Sequence, residues 1–163
     1  MLKHMTPQRA AFVIFAVTAA TLVGAWVFEY YGYAPCELCL KQRWPYYAAI
    51  PLSLALALRG GYNPPLARSG LYVLALIMLG SAIFGLYHAG VEWKWWAGPD
   101  TCSGAGGLSG GLPDLTKPAV MCDEPAIRIL GLSLAGWNGV ISLALAMVAL
   151  KGATSQGSSS VSQ

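Results

Sequence analysis

Pro35-Cys36-Glu37-Leu38-Cys39-Leu40-Lys41-Gln42-Arg43 sits where one long apolar run ends and the next begins. Two cysteines three apart can close a small disulfide, and the thiol in the first turn of such a pair tends toward a lowered pKa. Arg43 follows Cys39 by four positions, about one helical turn, so both lie on one face. A guanidinium there favours a thiolate at Cys39. The stretch therefore sets a reactive dithiol and a fixed positive charge at the edge of an apolar layer.

Working outward, the composition puts that layer in a membrane. Of 163 residues, 56 % are hydrophobic and 10 % charged, with a mean hydropathy of +0.54; soluble domains carry about 25 % charged residues. The length suits one domain. The net charge of +3 is modest and no basic run points to nucleic acid. The placement of charge is more informative. Lys3, Arg9, Arg59, Arg68 and Lys151 occupy segments without an acid, whereas Glu29, Glu37, Glu92, Asp100, Asp114, Asp123 and Glu124 share the other segments with all four cysteines. Cysteines confined to one side fit disulfides in an oxidising compartment.

Four apolar runs are expected to cross the bilayer as helices, at about 10–31, 40–58, 69–89 and 129–150. The first has no small-residue cleavage site after it and reads as a retained span. Ala16, Ala20 and Gly24 in the first span, and Ser81, Gly85 and Ala89 in the third, form small-residue stripes that let helices approach. Only 15 residues separate Arg43 from Arg59, about 22 Å of helix. The second span must therefore begin near Cys39 or Leu40 and carry Arg43 into the outer interface, with Pro51 kinking it. Residues 59–68 read as a tight loop. Asn138 should face other helices rather than lipid. The expected outer loops are about 32–39 and 90–128, and 151–163 is expected to be a disordered tail. The positive-inside rule places both termini in the cytoplasm and the cysteine-bearing loops outside.

Each chemical candidate has a plainer counterpart. Cys36 and Cys39 fit a redox pair, a structural clip, or half of a four-thiolate metal site; the last wants two Cys-x-x-Cys knuckles, and Cys102 and Cys122 are 20 apart. The expectation is a redox pair and no metal. Cys102 and Cys122 lie in a glycine- and proline-rich loop, where a structural disulfide and a mobile redox relay both remain open. Arg43 is an interfacial anchor or a group supporting a thiolate and a bound polar headgroup. His88, at similar depth, is an interfacial residue or a partner of that headgroup. Trp93, Trp95 and Trp96 read as a belt or loop anchor, and 104–111 as flexible glycine-rich chain.

The pattern Cys-x-Leu-Cys followed by Arg43, four spans, His88 closing the third, and Gly98-Pro99-Asp100-Thr101-Cys102 resembles the bacterial disulfide-bond formation protein DsbB family. Gly131-Leu132-Ser133-Leu134-Ala135-Gly136-Trp137-Asn138 also looks like that family, and the likeness covers roughly residues 10–150. It implies an all-α four-transmembrane-helix bundle of the bacterial inner membrane, with two periplasmic loops, the second long and carrying a disulfide pair. It implies a protein-dithiol:quinone oxidoreductase that reoxidises a periplasmic DsbA-like thioredoxin-fold oxidase and passes electrons to ubiquinone or menaquinone. By that likeness Cys36–Cys39 is the pair beside the quinone, Arg43 and His88 support quinone binding, and Cys102–Cys122 is the shuttle pair. Two features depart from familiar members: residue 37 is acidic, and the loop between Cys102 and Cys122 is short, with 19 residues. The alternatives are a vitamin K epoxide reductase-like enzyme, or a non-enzymatic four-span protein with two structural disulfides.

Overall fold

The structure is a computed structural model and describes residues 5–99 and 121–155. Cys102, the glycine-rich stretch 104–111 and residues 156–163 lie outside the described residues. Helix α1 spans Pro7–Tyr30. A one-turn helix α2, Glu37–Lys41, is followed by α3, Trp44–Arg59, and α4, Pro64–Glu92. Strands β1 (Arg128–Ile129) and β2 (Leu132–Ser133) form a two-residue antiparallel hairpin before α5, Leu134–Thr154. The four long helices form a ring in chain order, with α4 and α5 the most extensively packed pair.

Local chemistry sets the helix starts. Thr6 caps α1 by accepting the Arg9 N–H, Asn63 caps α4 by accepting that of Leu66, and Ser133 caps α5 by accepting that of Gly136. Pro7 and Pro64 sit in first turns, where no backbone donor is lost. The second helix does not run unbroken from Leu40. It breaks at Gln42 and Arg43 and restarts at Trp44, because Pro45 has a fixed φ and no N–H and so suits the start of a new helix. Other boundaries differ from the sequence reading: α5 begins at Leu134 rather than near residue 129, where the hairpin lies, and α4 runs on to Glu92. Pro64 to Arg68 belong to α4 rather than to a loop, and α5 continues into residues 151–154. Inside the hairpin, Leu130 and Gly131 both take positive φ, 52° and 85°, as a two-residue primed turn requires.

Among the described residues three helices, α1, α4 and α5, are long and apolar enough to cross a membrane. At 16 residues α3 is shorter. The outer surface of the ring carries Phe12, Leu76, Ile83, Leu86 and Met147, an apolar exposure expected in lipid rather than water. The core near the chain ends is built from Ile14, Leu71, Leu74, Met78, Leu145 and Ala149. Here the Ser155 hydroxyl donates to the Met5 carbonyl, so the ends of α1 and α5 meet.

Only one of the two small-residue stripes makes a helix contact. A Cβ on Gly85 would lie 2.7 Å from the Gly139 nitrogen, so α4 and α5 need glycine there. In α1 the buried stripe is Ala10, Ile14, Thr18 and Leu22, whereas Ala16 and Ala20 are exposed.

Across the middle of the ring runs a polar network. The Tyr46 hydroxyl donates to Asn138 Oδ1 at 2.6 Å and lies 3.0 Å from Ser142 Oγ, which donates to Ser81 Oγ at 2.9 Å. It ties α3, α4 and α5 together, and Asn138 faces the interior as expected. Buried interhelical hydrogen bonds of this kind contribute roughly 0.6–1.7 kcal/mol each in membrane proteins. Tyr46→Phe is therefore expected to lower bundle stability by about 1 kcal/mol, measured as unfolding in mixed micelles. No change would mean that water or a neighbour replaces the hydroxyl.

Candidate functional site: a dithiol at the wall of an apolar cavity

Cys36 is the N-cap of α2, and its Sγ accepts the Cys39 N–H at 3.1 Å. Both cysteines are free thiols; Cys36 is buried and Cys39 half-buried. His88, in the last turn and a half of α4, brings Nε2 to 3.6 Å from Cys36 Sγ and is itself buried. Glu92, one turn further along, is buried with its Oε1 at 3.9 Å from the same Nε2. The two sulfurs and His88 form one compact group whose ligating atoms lie within 4.8 Å of one another.

The two thiols are not equivalent. Cys39 is held below its ordinary value, first because the Cys36 thiol donates a hydrogen bond to it; burial and the Glu92 charge oppose this, and Arg43 helps least. Cys36 is pushed up, because the same hydrogen bond retains its proton, and burial and the adjacent Cys39 charge add to that. The pair is therefore arranged so that Cys39 gives up its proton first and Cys36 keeps its own. Arg43 is on the expected side of Cys39, but its main partner is Glu29 at the end of α1, reached by a 2.8 Å charge-assisted bond. That ion pair allows a guanidinium to rest at the edge of the apolar layer. The unexpected acid Glu37 pairs with Lys41 at 2.6 Å.

The dithiol opens onto a cavity of about 400 Å³ lined by α1, the 33–46 segment, α4 and α5. Its walls include Leu22, Phe28, Leu134 and Ile141, and its polar groups include Gln42, Arg43, Tyr46, His88, Glu92 and Asn138. Gln42 Nε2 and Asn138 Nδ2 are buried without a hydrogen-bond partner among the described residues. An apolar chamber with a few convergent polar groups is the usual form of a small-molecule site.

Cys122 adjoins the pair from the other side. It is 1 % exposed and packs in one cluster with Cys36, Leu38 and Val91, and it is disulfide-bonded. The tryptophans fold into a cap at the end of α4. Trp96 stacks on Tyr87, donates its indole N–H to the Tyr87 carbonyl and covers Gly90, where a Cβ would come within 2.1 Å of the ring. Lys94 then pairs with Asp123, the neighbour of Cys122.

Sequence reasoning names Cys36, Cys39, Cys102, Cys122, Arg43 and His88; Cys36, Cys39, Arg43 and His88 line one cavity, Cys122 packs against Cys36, and Cys102 lies outside the described residues. The same reasoning does not single out Glu92, Gln42 or Tyr46. Glu92 follows His88 by four positions, the spacing that puts two helical side chains on one face, so a signal was present.

A ring of apolar helices with a thiol pair on the wall of an apolar chamber is an arrangement that a membrane thiol oxidoreductase requires. Comparison with known proteins agrees. The family described as Disulfide bond formation protein DsbB matches residues 7–151. A protein of Albidiferax ferrireducens named Disulfide bond formation protein B is 29 % identical over 148 residues, covering 83 % of this chain and 81 % of its own. Its namesake in Aromatoleum aromaticum is 28 % identical over 155 residues, covering 87 % and 90 %. An uncharacterised protein of Rickettsia prowazekii is 30 % identical over 142 residues, covering 82 % and 80 %. No solved structure matches. The chain belongs to the DsbB family of membrane thiol oxidoreductases that support disulfide bond formation.

Proposed function

We propose that the protein oxidises a periplasmic DsbA-like thioredoxin-fold partner and passes the electrons through two cysteine pairs to a membrane quinone, ubiquinone or menaquinone. The observation that carries this reading is the Cys36–Cys39 dithiol on the wall of the apolar cavity, beside Arg43 and His88. A quinone fits the donor set: its ring suits the apolar walls, and its carbonyl oxygens suit the buried amide donors left without partners, Gln42 Nε2 and Asn138 Nδ2. When bound, the quinone supplies the oxidising power. The chain's own groups hold and orient it, keep Cys39 as a thiolate and keep water away.

The order of steps follows from exchange chemistry. A reduced partner thiolate attacks the Cys102–Cys122 disulfide at Cys102, forming a mixed disulfide and freeing Cys122. With Cys36–Cys39 in its disulfide form, the freed Cys122 thiolate attacks Cys36, its neighbour in the buried cluster, so that a Cys36–Cys122 bond forms and Cys39 leaves as a thiolate. The partner's second thiolate then attacks the mixed disulfide and the partner departs oxidised. The released Cys102 re-forms the Cys102–Cys122 bond and frees Cys36 as a thiol, and Cys36–Cys39 closes again as two electrons pass through Cys39 to the acceptor. In this reading the cysteine-bearing end faces the periplasm and both termini face the cytoplasm of an inner-membrane protein. Arg9, Arg59, Arg68 and Lys151 at the other end support that orientation.

The test is quinone reduction by purified protein given a reduced thioredoxin-fold partner, with each cysteine replaced in turn. Quinone reduction that survives loss of either pair would reject the scheme. Arg43 provides a finer check. Its guanidinium has five donors and can hold a quinone carbonyl beside Glu29. Arg43→Ala is expected to raise the quinone KM about tenfold, equivalent to about 1.4 kcal/mol of binding, with a smaller change in kcat. An unchanged KM would reduce Arg43 to an anchor.

A further inference from the structure

Glu92 is a buried ionisable group that the scheme above leaves unused. It is 8 % exposed, at the outer end of an apolar helix, and its Oε2 has no hydrogen-bond partner among the described residues. A carboxylate in such a place is costly and normally carries a function. The groups facing it come from several elements. His88 Nε2 lies one turn back on α4, the Ser133 side chain and the Arg128 charge approach from the hairpin, and its own charge acts on both Cys36 and Cys39. It also lines the cavity.

One nitrogen, His88 Nε2, faces both Cys36 Sγ at 3.6 Å and Glu92 Oε1 at 3.9 Å. A proton taken from the thiol can leave to the carboxylate from that same nitrogen, with no ring flip and no change of tautomer. The second distance is longer than a hydrogen bond, as is common in catalytic groups before the substrate is bound. The transient imidazolium is buried, and the nearby carboxylate offsets its charge.

We propose that Glu92 is the proton acceptor of a Cys36–His88–Glu92 relay that deprotonates Cys36 as the Cys36–Cys39 disulfide forms. This rests on the quinone-reductase reading of the site. In the step, Cys36 Sγ bonds to Cys39 Sγ, the S–H bond of Cys36 breaks, and two electrons pass to the quinone. The Cys36 proton moves through His88 Nε2 to Glu92 and from there to the reduced acceptor in the cavity. The second proton of the quinol is drawn from water, replacing the one Cys39 released when its thiolate formed. Dithiol plus quinone thus gives disulfide plus quinol, and Glu92 returns to its starting state. Cys36 needs such help, since its hydrogen bond with Cys39, burial and the Cys39 charge all hold its proton in place.

The experiment pairs two readouts on Glu92→Gln and Glu92→Asp. The first is steady-state reduction of a short-chain ubiquinone in detergent, in H₂O and D₂O. The second is the rate at which iodoacetamide alkylates the reduced protein stripped of quinone. Glu92→Gln is expected to lower kcat at least about tenfold, in line with loss of an acid–base group, with KM within about twofold. Its alkylation should be as fast as in the parent or faster, because removal of a negative charge favours thiolate. Glu92→Asp, with the carboxylate withdrawn by one methylene, should fall several-fold in kcat, with a larger D₂O effect than the parent. It decides the matter if the glutamine variant does not fold. An unchanged kcat, a rise in KM alone, or a parallel fall in both readouts overturns the relay and makes Glu92 structural. A parent protein that reduces no quinone overturns the proposed function and the relay with it, whereas an active parent with an equally active Glu92→Gln overturns the relay alone.

Discussion

Cys39→Ser protein should reduce quinone about 10³-fold more slowly than the parent, or not at all, because removal of a reacting nucleophile leaves only binding and orientation. The pH dependence should be equally specific. In the parent, Cys39 is held below its ordinary value of 9.0, mainly by the hydrogen bond from Cys36. Its thiolate therefore forms at lower pH than that of an ordinary cysteine and is lost as pH falls through the lowered value. Cys36→Ala removes the donor. The Cys39 thiolate should then form at higher pH, and its alkylation at neutral pH should slow accordingly. Arg43→Ala should move the same titration in the same direction but by less, since Arg43 is the weakest of the contributions to Cys39. Thiolate absorbance in the ultraviolet, followed in each variant, checks the order. If Arg43→Ala displaced the titration further than Cys36→Ala, the guanidinium rather than the neighbouring thiol would control the site.

That order could not be read from spacing. The four-residue step from Cys39 to Arg43 reads as one helical face, but the helix breaks between them at Gln42, and spacing says nothing of competing partners. Glu29 lies 14 residues earlier on another helix and takes the guanidinium. The chemistry-bearing residues were legible because charge, cysteine and histidine are rare in this chain and each stands out against an apolar background. The packing faces were not. In a soluble helix polarity separates the inner face from the outer, but here both faces of α1 are apolar. The sequence thus offered Ala16, Ala20 and Gly24 as readily as the stripe at Ala10, Ile14, Thr18 and Leu22 that is actually buried. Helix boundaries failed for a related reason. Apolar content marks the 40–58 run as a unit, whereas Pro45 decides where α3 begins. Glu92 was passed over because it was counted with the loop acids, and only its position one turn beyond His88 betrays it.

The packing of Cys122 against Cys36 has a consequence that is open to direct trapping. Cys36 is 5 % and Cys122 1 % exposed, within one cluster with Leu38 and Val91. Thiols held together in this way react as if at very high concentration, with effective molarities of about 10⁵ M or more in well-oriented cases. Protein carrying Cys39→Ser and Cys102→Ser keeps only these two cysteines. On mild oxidation nearly all of it should close a Cys36–Cys122 disulfide within each chain, seen by peptide mass mapping without reduction. The complementary pair, Cys39 with Cys122, should cross-link much less readily when Cys36 and Cys102 are replaced, because Cys39 only flanks the cluster and faces the cavity. Equal yields from the two pairs would mean that the sulfurs sample each other freely. In that event the buried cluster does not direct electron entry to Cys36, and the ordered transfer from loop to dithiol would have to be abandoned. A strong preference for Cys36 would instead separate the two roles within the dithiol: one sulfur receives electrons from the protein side, and the other hands them to the apolar cavity.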